Sequence, residues 1–308
     1  MKLGTIVGIV FSCLLIIGGV ILCCIGTSIA EENGQVLFTQ KNENGTYHKL
    51  VVDESITRID LSLENVDVVV SGNADVSEIE FYNFNPNNYA LSVTTNVISF
   101  EETPKIESVT DILASGINFK GLRYALDVEG YRFESDDKRV VINLSKDTDI
   151  KILDISAEKG EIDISKLDTD SDITVSLGRG KVNLEEIKTT SVIDVKGTAV
   201  DTVMSGLSAV GLKYSADKSD LTVSNSVFTT SQVTVSDGSV SYSLAEVPEK
   251  TQITASSDTG SLMVNSISSS SPYKLESEEH DKTVDIKCKS AGINITYPVA
   301  ESSADANE

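Results

Sequence analysis

The sequence predicts an all-β protein, a single-domain β-solenoid-like stack of roughly 20-residue two-strand repeats, preceded by one transmembrane helix. Three observations support this fold class. The composition is rich in Ser, Thr, Val, Ile and Asp, with no Trp and 5 Pro, a mixture that favours strands and turns over helices. An uncharged apolar segment opens the chain, and further along alternating apolar and polar residues recur at a nearly constant interval.

Residues 1–30 form the predicted transmembrane anchor. Leu3 to Ala30 contains no charged residue, and a helix of this length, rising about 1.5 Å per residue, exceeds the roughly 30 Å hydrocarbon core of a bilayer. Lys2 precedes the segment and two glutamates follow it, so the positive-inside rule places the N-terminus in the cytoplasm and the C-terminal domain outside. We therefore expect a single-pass cell-membrane protein that contacts the membrane through residues 4–30.

A cleaved signal peptide is the alternative for this segment. Ser28, Ile29 and Ala30 give the small-x-small pattern that a signal peptidase accepts, and cleavage near Ala30 would secrete the protein. Secretory apolar regions usually have about 7–15 residues. The longer run favours a retained signal anchor.

The central part of the chain is an array of six copies. Each copy opens with an apolar-polar-apolar-polar run, which is typical of a strand with one buried face. Successive runs are 20, 20, 19, 21 and 20 residues apart. They begin at Leu153, Ile173, Ile193, Leu212, Val233 and Ile253.

A second alternating strand follows the first in five of these copies after a short turn. Glycine stands just before it at Gly160, Gly180, Gly238 and Gly260, which predicts a backbone position that needs positive φ or a sharp bend. Two strands of this length cannot bury their apolar side chains alone, whereas stacked copies can. An antiparallel sandwich of hairpins is the rival architecture, and the near-constant step favours the solenoid because a deleted residue would turn side chains to the wrong face.

The remaining boundaries follow from where the alternation begins, weakens and stops. A juxtamembrane spacer precedes the repeat domain, and terminal repeats are usually atypical, so the first strands are interpreted as a cap. Between Phe100 and Arg139 the pattern loosens into an inserted excursion. The predicted ranges are a spacer at 31–49, a β-strand repeat domain at 50–300 with cap strands at 50–99, an irregular insertion at 100–139 and repeats at 140–297, and a disordered tail at 301–308.

Aromatic residues concentrate in the insertion, at Phe119, Tyr124, Tyr131 and Phe133. Core packing of the insertion is one interpretation of this group. The other is an interaction patch for a glycan or a protein partner. These four residues are the candidate functional site of the sequence.

No other motif supports chemistry. Asp168 to Asp172 opens like a calcium loop, but Ile173 stands where the loop needs Gly and Arg179 where it needs a bidentate Glu. The segment Leu177 to Lys181 has glycines and basic residues, yet no helix pattern follows to bind a phosphate, so a tight turn is expected. We accordingly predict no catalytic residue, no cofactor and no metal site.

The histidines and the one cysteine outside the anchor are also interpreted structurally. His48 and His280 stand in polar sequence that is expected to be exposed, without the spacing of metal ligands. Cys288 alternates with apolar neighbours, which predicts a buried strand position. With Cys13, Cys23 and Cys24 inside the apolar segment, no intrachain disulfide is expected in the exported part.

The chain carries a formal net charge of −22. Such an acidic surface repels nucleic acid and anionic headgroups, so nucleic acid is excluded as a partner. High charge also keeps a displayed protein soluble.

From about Ile56 to Tyr297 the chain resembles the bacterial putative-adhesin family of β-strand-repeat proteins, a domain of unknown function in Gram-positive envelopes. The features that carry the resemblance are the N-terminal anchor, the strand Ile59 to Ser62 followed by Val66 to Val68, and Gly-containing turns such as Glu158 to Ile162. The resemblance implies a surface-exposed solenoid-like module, associated in some relatives with envelope-stress regulation. It implies no catalytic residues.

The expected function is therefore that of a membrane-anchored, extracytoplasmic, non-enzymatic interaction module of the cell envelope, adhesin-like or envelope-associated. Its expected partner is another envelope protein or a glycan. One alternative is an envelope-stress sensor or regulator that works through a membrane partner, since only Met1 and Lys2 precede the apolar segment. A second alternative is a polysaccharide-active β-helix enzyme, because paired carboxylates on such folds can cleave glycans.

Overall fold

The structure is a computed structural model that describes residues 40–42, 45–52, 55–84, 89–94, 96–102, 138–146, 148–277 and 279–299. Its secondary structure is all β, and within these residues no helix combines the length and apolar character that crossing a bilayer requires. The predicted anchor at 1–30, most of the spacer, most of the insertion and the tail at 301–308 lie outside the described residues.

Twenty strands make up the described part. They are β1 (Gln40–Asn42), β2 (Gly45–Val51), β3 (Arg58–Asn65), β4 (Asp67–Ala74), β5 (Glu78–Tyr82), β6 (Tyr89–Val93), β7 (Val97–Glu102), β8 (Arg139–Ser145), β9 (Ile152–Ser165), β10 (Asp168–Thr169), β11 (Asp172–Glu185), β12 (Lys188–Thr189), β13 (Val192–Ser205), β14 (Ser208–Leu244), β15 (Thr251–Ser257), β16 (Leu262–Val264), β17 (Ile267–Ser268), β18 (Tyr273–Leu275), β19 (Lys282–Cys288) and β20 (Gly292–Thr296).

The strands form a stack of coils, which confirms the predicted solenoid-like architecture. Each coil has a first and a second strand run, and equivalent runs of neighbouring coils pair in parallel. Leu153 of β9 pairs with Ile173 of β11, Ile173 with Ile193 of β13, and Ile193 with Leu212 of β14. The offsets between paired residues are therefore 20, 20 and 19, which are the steps of the sequence repeat.

Nine coils can be followed within the described residues. In order along the stack they are β7 with β8 (coil 1), β3 with β4 (coil 2), β9 (coil 3), β11 (coil 4), β13 (coil 5), the first half of β14 (coil 6), its second half (coil 7), β19 with β20 (coil 8) and β15 with β16 (coil 9). Antiparallel strands continue the sheet beyond both end coils, with β5, β2, β1 and β6 next to coil 1, and β18 and β17 next to coil 9.

The order of the coils departs from the order of the chain at both ends. At the N-terminal end, β3 and β4 form a complete coil against coil 3, and the later strands β7 and β8 take the outer position. At the C-terminal end, β19 and β20 lie between coils 7 and 9. The segment from Val284 to Ile295, predicted to close the stack, is therefore internal, and the sixth sequence copy does not contact the fifth as its neighbour.

The interior of the stack is filled by aliphatic columns. Ile59, Leu153, Ile173, Ile193 and Leu212 occupy one such column across five coils, and each is 0% exposed. Burial of one such side chain contributes about 1.5–3 kcal/mol. Since Cys288 is the single free cysteine described and it is buried, this core holds the described domain together without a disulfide, and the predicted strand position of Cys288 is confirmed.

The corner between the two runs, here called the glycine corner, explains the recurring glycines. Gly160, Gly180 and Gly238 have φ of 145°, 138° and 121°, so the predicted need for positive φ is confirmed at these three positions. Gly260 has no such φ. It is required by close approach, because a Cβ there would lie 2.1 Å from the carbonyl oxygen of Ala291.

The opposite corner, here called the return corner, also uses one left-handed residue per coil. The residues are Lys166 (φ 55°), Glu186 (52°), Gly206 (68°) and Asn225 (48°), spaced like the repeat. Asn and Gly adopt this conformation readily, whereas Lys and Glu adopt it at a cost. The repeat geometry imposes the bend whatever the residue type.

Candidate functional site

The aromatic patch predicted at Phe119, Tyr124, Tyr131 and Phe133 lies outside the described residues, and it remains a prediction. The insertion that carries it starts and ends at the glycine corner of coil 1, because β7 is the first run of that coil and β8 the second. Its place in the fold is therefore a turn of the outermost coil.

The described residues contain a different aromatic cluster, beneath the N-terminal cap. Phe81 and Phe100 stack with ring centroids 4.6 Å apart, Tyr89 stacks on Phe100 at 4.9 Å, and Phe84 meets Phe100 edge to face at 5.0 Å. All three phenylalanines are buried, and burial raises the pKa of the Tyr89 phenol. The cluster is the packing core of the cap.

The Asp168 to Asp172 segment lies at the return corner between coils 3 and 4. Its carboxylates bond to the next coil: Asp170 accepts from the Thr190 hydroxyl at 2.7 Å, and Asp172 accepts from the Val192 amide at 3.3 Å and from Ser191. These side chains thus tie neighbouring corners together. No group of three or more His, Cys, Asp or Glu able to hold a metal ion occurs in the described residues.

The glycine- and arginine-containing segment at Leu177 to Lys181 lies at the glycine corner of coil 4. Gly180 makes the bend there, and the side chains of Arg179 and Lys181 are exposed. Gly178 allows close approach, since a Cβ on it would lie 2.5 Å from the Glu158 carbonyl oxygen. The predicted tight turn is what the structure contains.

One prediction about the histidines needs correction. His48 is half-buried rather than exposed, because it lies on β2 against the cap and its ring stacks on Phe81 at a centroid distance of 6.2 Å. Burial lowers its pKa. His280 is exposed, as predicted.

A recess at the glycine corner of coils 5 to 7 was not anticipated from the sequence. It has a volume of about 310 Å³ and opens to solvent. Three carboxylates and one ammonium group line it, from Asp201, Asp220, Asp237 and Lys218, all of them exposed. Its other lining residues are Ala199, Val200, Ser219 and Gly238.

The recess forms where two coils lack the corner glycine. Val200 pairs at the level of Gly180 but turns its side chain into the core, where it is 2% exposed. Room for it comes from Gly197, where a Cβ would lie 2.7 Å from a Val200 methyl. In coil 6 the equivalent residue is Ser219, whose carbonyl oxygen would lie 2.1 Å from a Cβ on Gly238. The replaced glycines were the signal in the sequence that could have located this corner.

A buried chain of hydroxyls lies beneath the recess. The Tyr214 hydroxyl is 2.5 Å from Ser219 Oγ and 3.0 Å from Thr202 Oγ1. The three residues are 2%, 5% and 0% exposed, and burial raises the pKa of Tyr214, although its two hydrogen bonds oppose the rise. The phenol therefore stays protonated at neutral pH, and the chain satisfies polar groups inside an apolar core rather than activating a nucleophile.

The first runs of coils 2 to 5 carry an acidic column on their outer face. Asp60 pairs with Asp154, and Thr174 separates Asp154 from Asp194. Arg58 donates from Nε to both Asp60 oxygens at 2.8 Å. The pKa of Asp154 is raised, first by burial and then by the charge of Asp60. Arg58 and Lys196 oppose this rise.

We expect the Asp154→Asn variant to be more stable than the wild type at neutral pH, by no more than about 0.5 kcal/mol, since solvent screens these charges. A raised pKa means that the folded state binds the proton more readily than the unfolded chain. The carboxylate therefore costs stability above its folded pKa. This cost disappears as the pH falls through that pKa towards the ordinary value of about 3.9.

Urea denaturation of both proteins between pH 3 and pH 7 measures this difference. Asp194→Asn is the matched control, because it removes an ion pair with Lys196 at 3.1 Å instead of a repulsion, and we expect no gain from it. A gain for Asp154→Asn that is independent of pH would contradict the electrostatic explanation.

Comparison with known proteins follows the same architecture. The model of the family described as Toastrack DUF4097 matches residues 56–297. No curated protein matches the chain. Among solved structures, the chain is similar to a putative cell adhesion protein from Clostridium sporogenes, with 14% identity, a TM-score of 0.34, and coverage of 82% of this chain and 99% of that one.

Two further solved structures are similar at the same level. A putative adhesin from Bacteroides fragilis is 12% identical, with a TM-score of 0.47 and coverage of 84% of this chain and 100% of that one. A putative adhesin from Parabacteroides distasonis is 10% identical, with a TM-score of 0.42 and coverage of 82% of this chain and 96% of that one.

Proposed function

The chain belongs to the Toastrack DUF4097 family, and on that premise we propose that it is a non-enzymatic interaction module, anchored in the cell membrane and displayed outside it. The observation that carries this proposal is the combination of an uncharged apolar segment from Leu3 to Ala30 with an acidic solenoid-like domain behind it. The segment supplies the anchor. The domain supplies a long, regular and soluble surface.

The outer faces of the coils fit a role in binding rather than in catalysis. On the first face, Ser62, Ser156 and Ser176 stand at the same level of three successive coils, and Lys196 continues the row. Parallel neighbours in a sheet are about 4.8 Å apart. Rows of small polar side chains at this spacing offer repeated hydrogen-bonding groups to an extended partner, such as a glycan or another envelope protein.

Location is the first test. We expect the full-length protein in the membrane fraction, and we expect protease added to intact protoplasts to digest the domain. Replacing Leu14 and Ile17 with Arg should move it out of the membrane fraction, because two central charges cost about 5–7 kcal/mol on insertion. The Leu14→Ile and Ile17→Leu double variant is the matched control and should stay.

Each outcome of the location test discriminates between proposals. Wild-type protein in the cytosol would contradict display outside the membrane. Protein in the medium that begins at Glu31 would replace the retained anchor with cleavage near Ala30. Protection from protease in intact protoplasts would reverse the proposed orientation.

Binding is the second test, made with isolated cell-wall glycan and the detergent-solubilised full-length protein. We propose the predicted patch as the contact, since aromatic rings stack well on apolar faces of ligands. Replacing Tyr124 and Tyr131 with Ser should weaken retention about tenfold without changing the melting temperature. Unchanged retention would exclude the patch. Release of soluble sugar by the wild type, lost on Asp201→Asn and Asp220→Asn, would instead favour a polysaccharide-active enzyme at the recess.

A further inference from the structure

The position of coil 8 singles out the C-terminal strands. β19 pairs in parallel with coil 7 on one side and with coil 9 on the other, so that Ile286 is the partner of both Val233 and Ala255. β20 is shared in the same way, with Ile293 paired to Val240 and to Leu262. The last strands of the described chain thus fill a slot between two coils that precede them in sequence.

The inserted strands contribute a complete layer of the core. Their inward-facing side chains are Val284, Ile286, Cys288, Ile293 and Ile295, all buried. The layer is therefore an integral coil, stabilised on both faces like the coils in the middle of the stack. Only its path along the chain is different.

The two coils that flank the slot match each other without the insert. Val233 and Ile253 are one repeat step of 20 residues apart, and the same inward positions are apolar in both coils. Coil 9 can therefore pair with coil 7 in the register that coils 3, 4 and 5 use. Departure of coil 8 would leave backbone groups that this pairing satisfies, which lowers the cost of the open state relative to an unpaired edge.

A single exposed connection leads into coil 8. It runs from β18 to β19, where Glu276, Glu279 and Asp281 are exposed, and the chain leaves β20 towards its C-terminus. Strands at the end of a chain can leave and enter a slot without threading a loop through the fold. They can also do so in a neighbouring molecule, since the contacts formed are identical.

We propose that the slot between coils 7 and 9 is an acceptor site for the C-terminal strands of a second copy of this chain, so that two molecules exchange coil 8. Exchange replaces each intramolecular pairing by the same pairing between molecules, and the balance depends on protein concentration and on the connection. The slot is specific for this partner because its register and inward positions match coil 8 itself.

Cross-linking between single-cysteine variants of the full-length protein tests the exchange. Thr234 of coil 7 and Lys287 of coil 8 are paired and exposed, and paired positions of this kind lie within the Cα range that a disulfide spans. One batch carries Thr234→Cys and the other Lys287→Cys, both in a background with the four native cysteines replaced by Ala. The batches are mixed in detergent, opened with moderate urea, diluted and oxidised.

The matched control is the pair Ser176→Cys and Lys196→Cys, which occupies the same row between coils 4 and 5. These coils lie in the middle of the chain and cannot exchange in this way. We expect a disulfide-linked dimer from the coil 7 and coil 8 mixture in at least fivefold excess over the control mixture.

Two results would overturn the proposal. One is equal dimer yield in both mixtures, which would reflect random collision. The other is the absence of dimer while a Thr234→Cys and Lys287→Cys double variant forms its bond within one chain, because coil 8 would then pair correctly but never exchange. The location of the protein in the cell does not affect either reading.

Discussion

Replacing Gly180 with Ala is expected to destabilise the protein by about 3 kcal/mol or more, which lowers its melting temperature by roughly 6–12 °C for a domain of this size. Gly180 has a φ of 138°, and a Cβ built on it would lie 1.8 Å from the carbonyl oxygen of Gly160 in the neighbouring coil. That oxygen belongs to the backbone and cannot move aside without shifting coil 3. Strain and overlap therefore add at one position.

Gly292→Ala is the matched control for this experiment. It too lies near a glycine corner, but its φ is not positive and its nearest neighbour would be the Ser261 hydroxyl oxygen at 3.3 Å. We expect a change of less than about 1 kcal/mol for this variant. Thermal and urea denaturation followed by circular dichroism measure both. Equal stability of the Gly180 and Gly292 variants would show that the corner relaxes freely and that the recurring glycines have no structural role.

The glycine corner also shows how far the sequence could be interpreted. Periodic spacing was sufficient to place Gly160, Gly180 and Gly238 at one kind of bend, since few other residues adopt positive φ cheaply. At the return corner the same bend falls on Lys166 and Glu186. Composition gives no signal there, because neighbouring coils impose the conformation against the preference of the residue.

The order of coils at the two ends could not be predicted for a related reason. Every coil presents the same alternation of apolar and polar residues, so the local pattern of Val233 fits Ile253 and Ile286 equally well. The step of 20 residues suggested the first pairing, and the structure has the second. Pattern determines the face that a strand buries, whereas the neighbour it selects depends on contacts between residues far apart in the chain.

The candidate site was predicted less completely than the fold. The patch at Phe119 and Tyr124 remains a prediction. The recess was missed because its carboxylates, from Asp201, Asp220 and Asp237, are separated by 19 and then 17 residues and come together only through the altered corners of coils 5 and 6. A search for interruptions of the glycine pattern would have found this place, although not its lining.

The second large effect is expected at the ion pair that joins the two ends of the insertion. Glu102 ends β7 and Lys138 directly precedes β8, and their side chains are in contact while only 6% and 15% exposed. Glu102 also accepts from the backbone amide of Glu64 at 3.0 Å, and the Lys138 ammonium lies 5.8 Å from the Phe84 ring centroid. The pair therefore connects coils 1 and 2 and the aromatic cluster of the cap.

Lys138→Met is expected to cost about 3–5 kcal/mol, because it leaves the Glu102 carboxylate buried without its counter-ion. Chemical denaturation of the full-length protein measures this loss. Lys151→Met is the matched control, since Lys151 pairs with Asp149 at 2.6 Å but both side chains are about half exposed or more. We expect no more than about 1 kcal/mol there.

The double variant Glu102→Met and Lys138→Met separates the cost of a stranded charge from the value of the pair. Removing both charges also removes the desolvation penalty, so we expect this protein to be more stable than Lys138→Met alone and close to the wild type. If the double variant is instead as unstable as the single one, the pair holds the ends of the insertion together by its own attraction. In that case the glycine corner of coil 1, unlike those of coils 3 and 4, depends on charge rather than on backbone geometry.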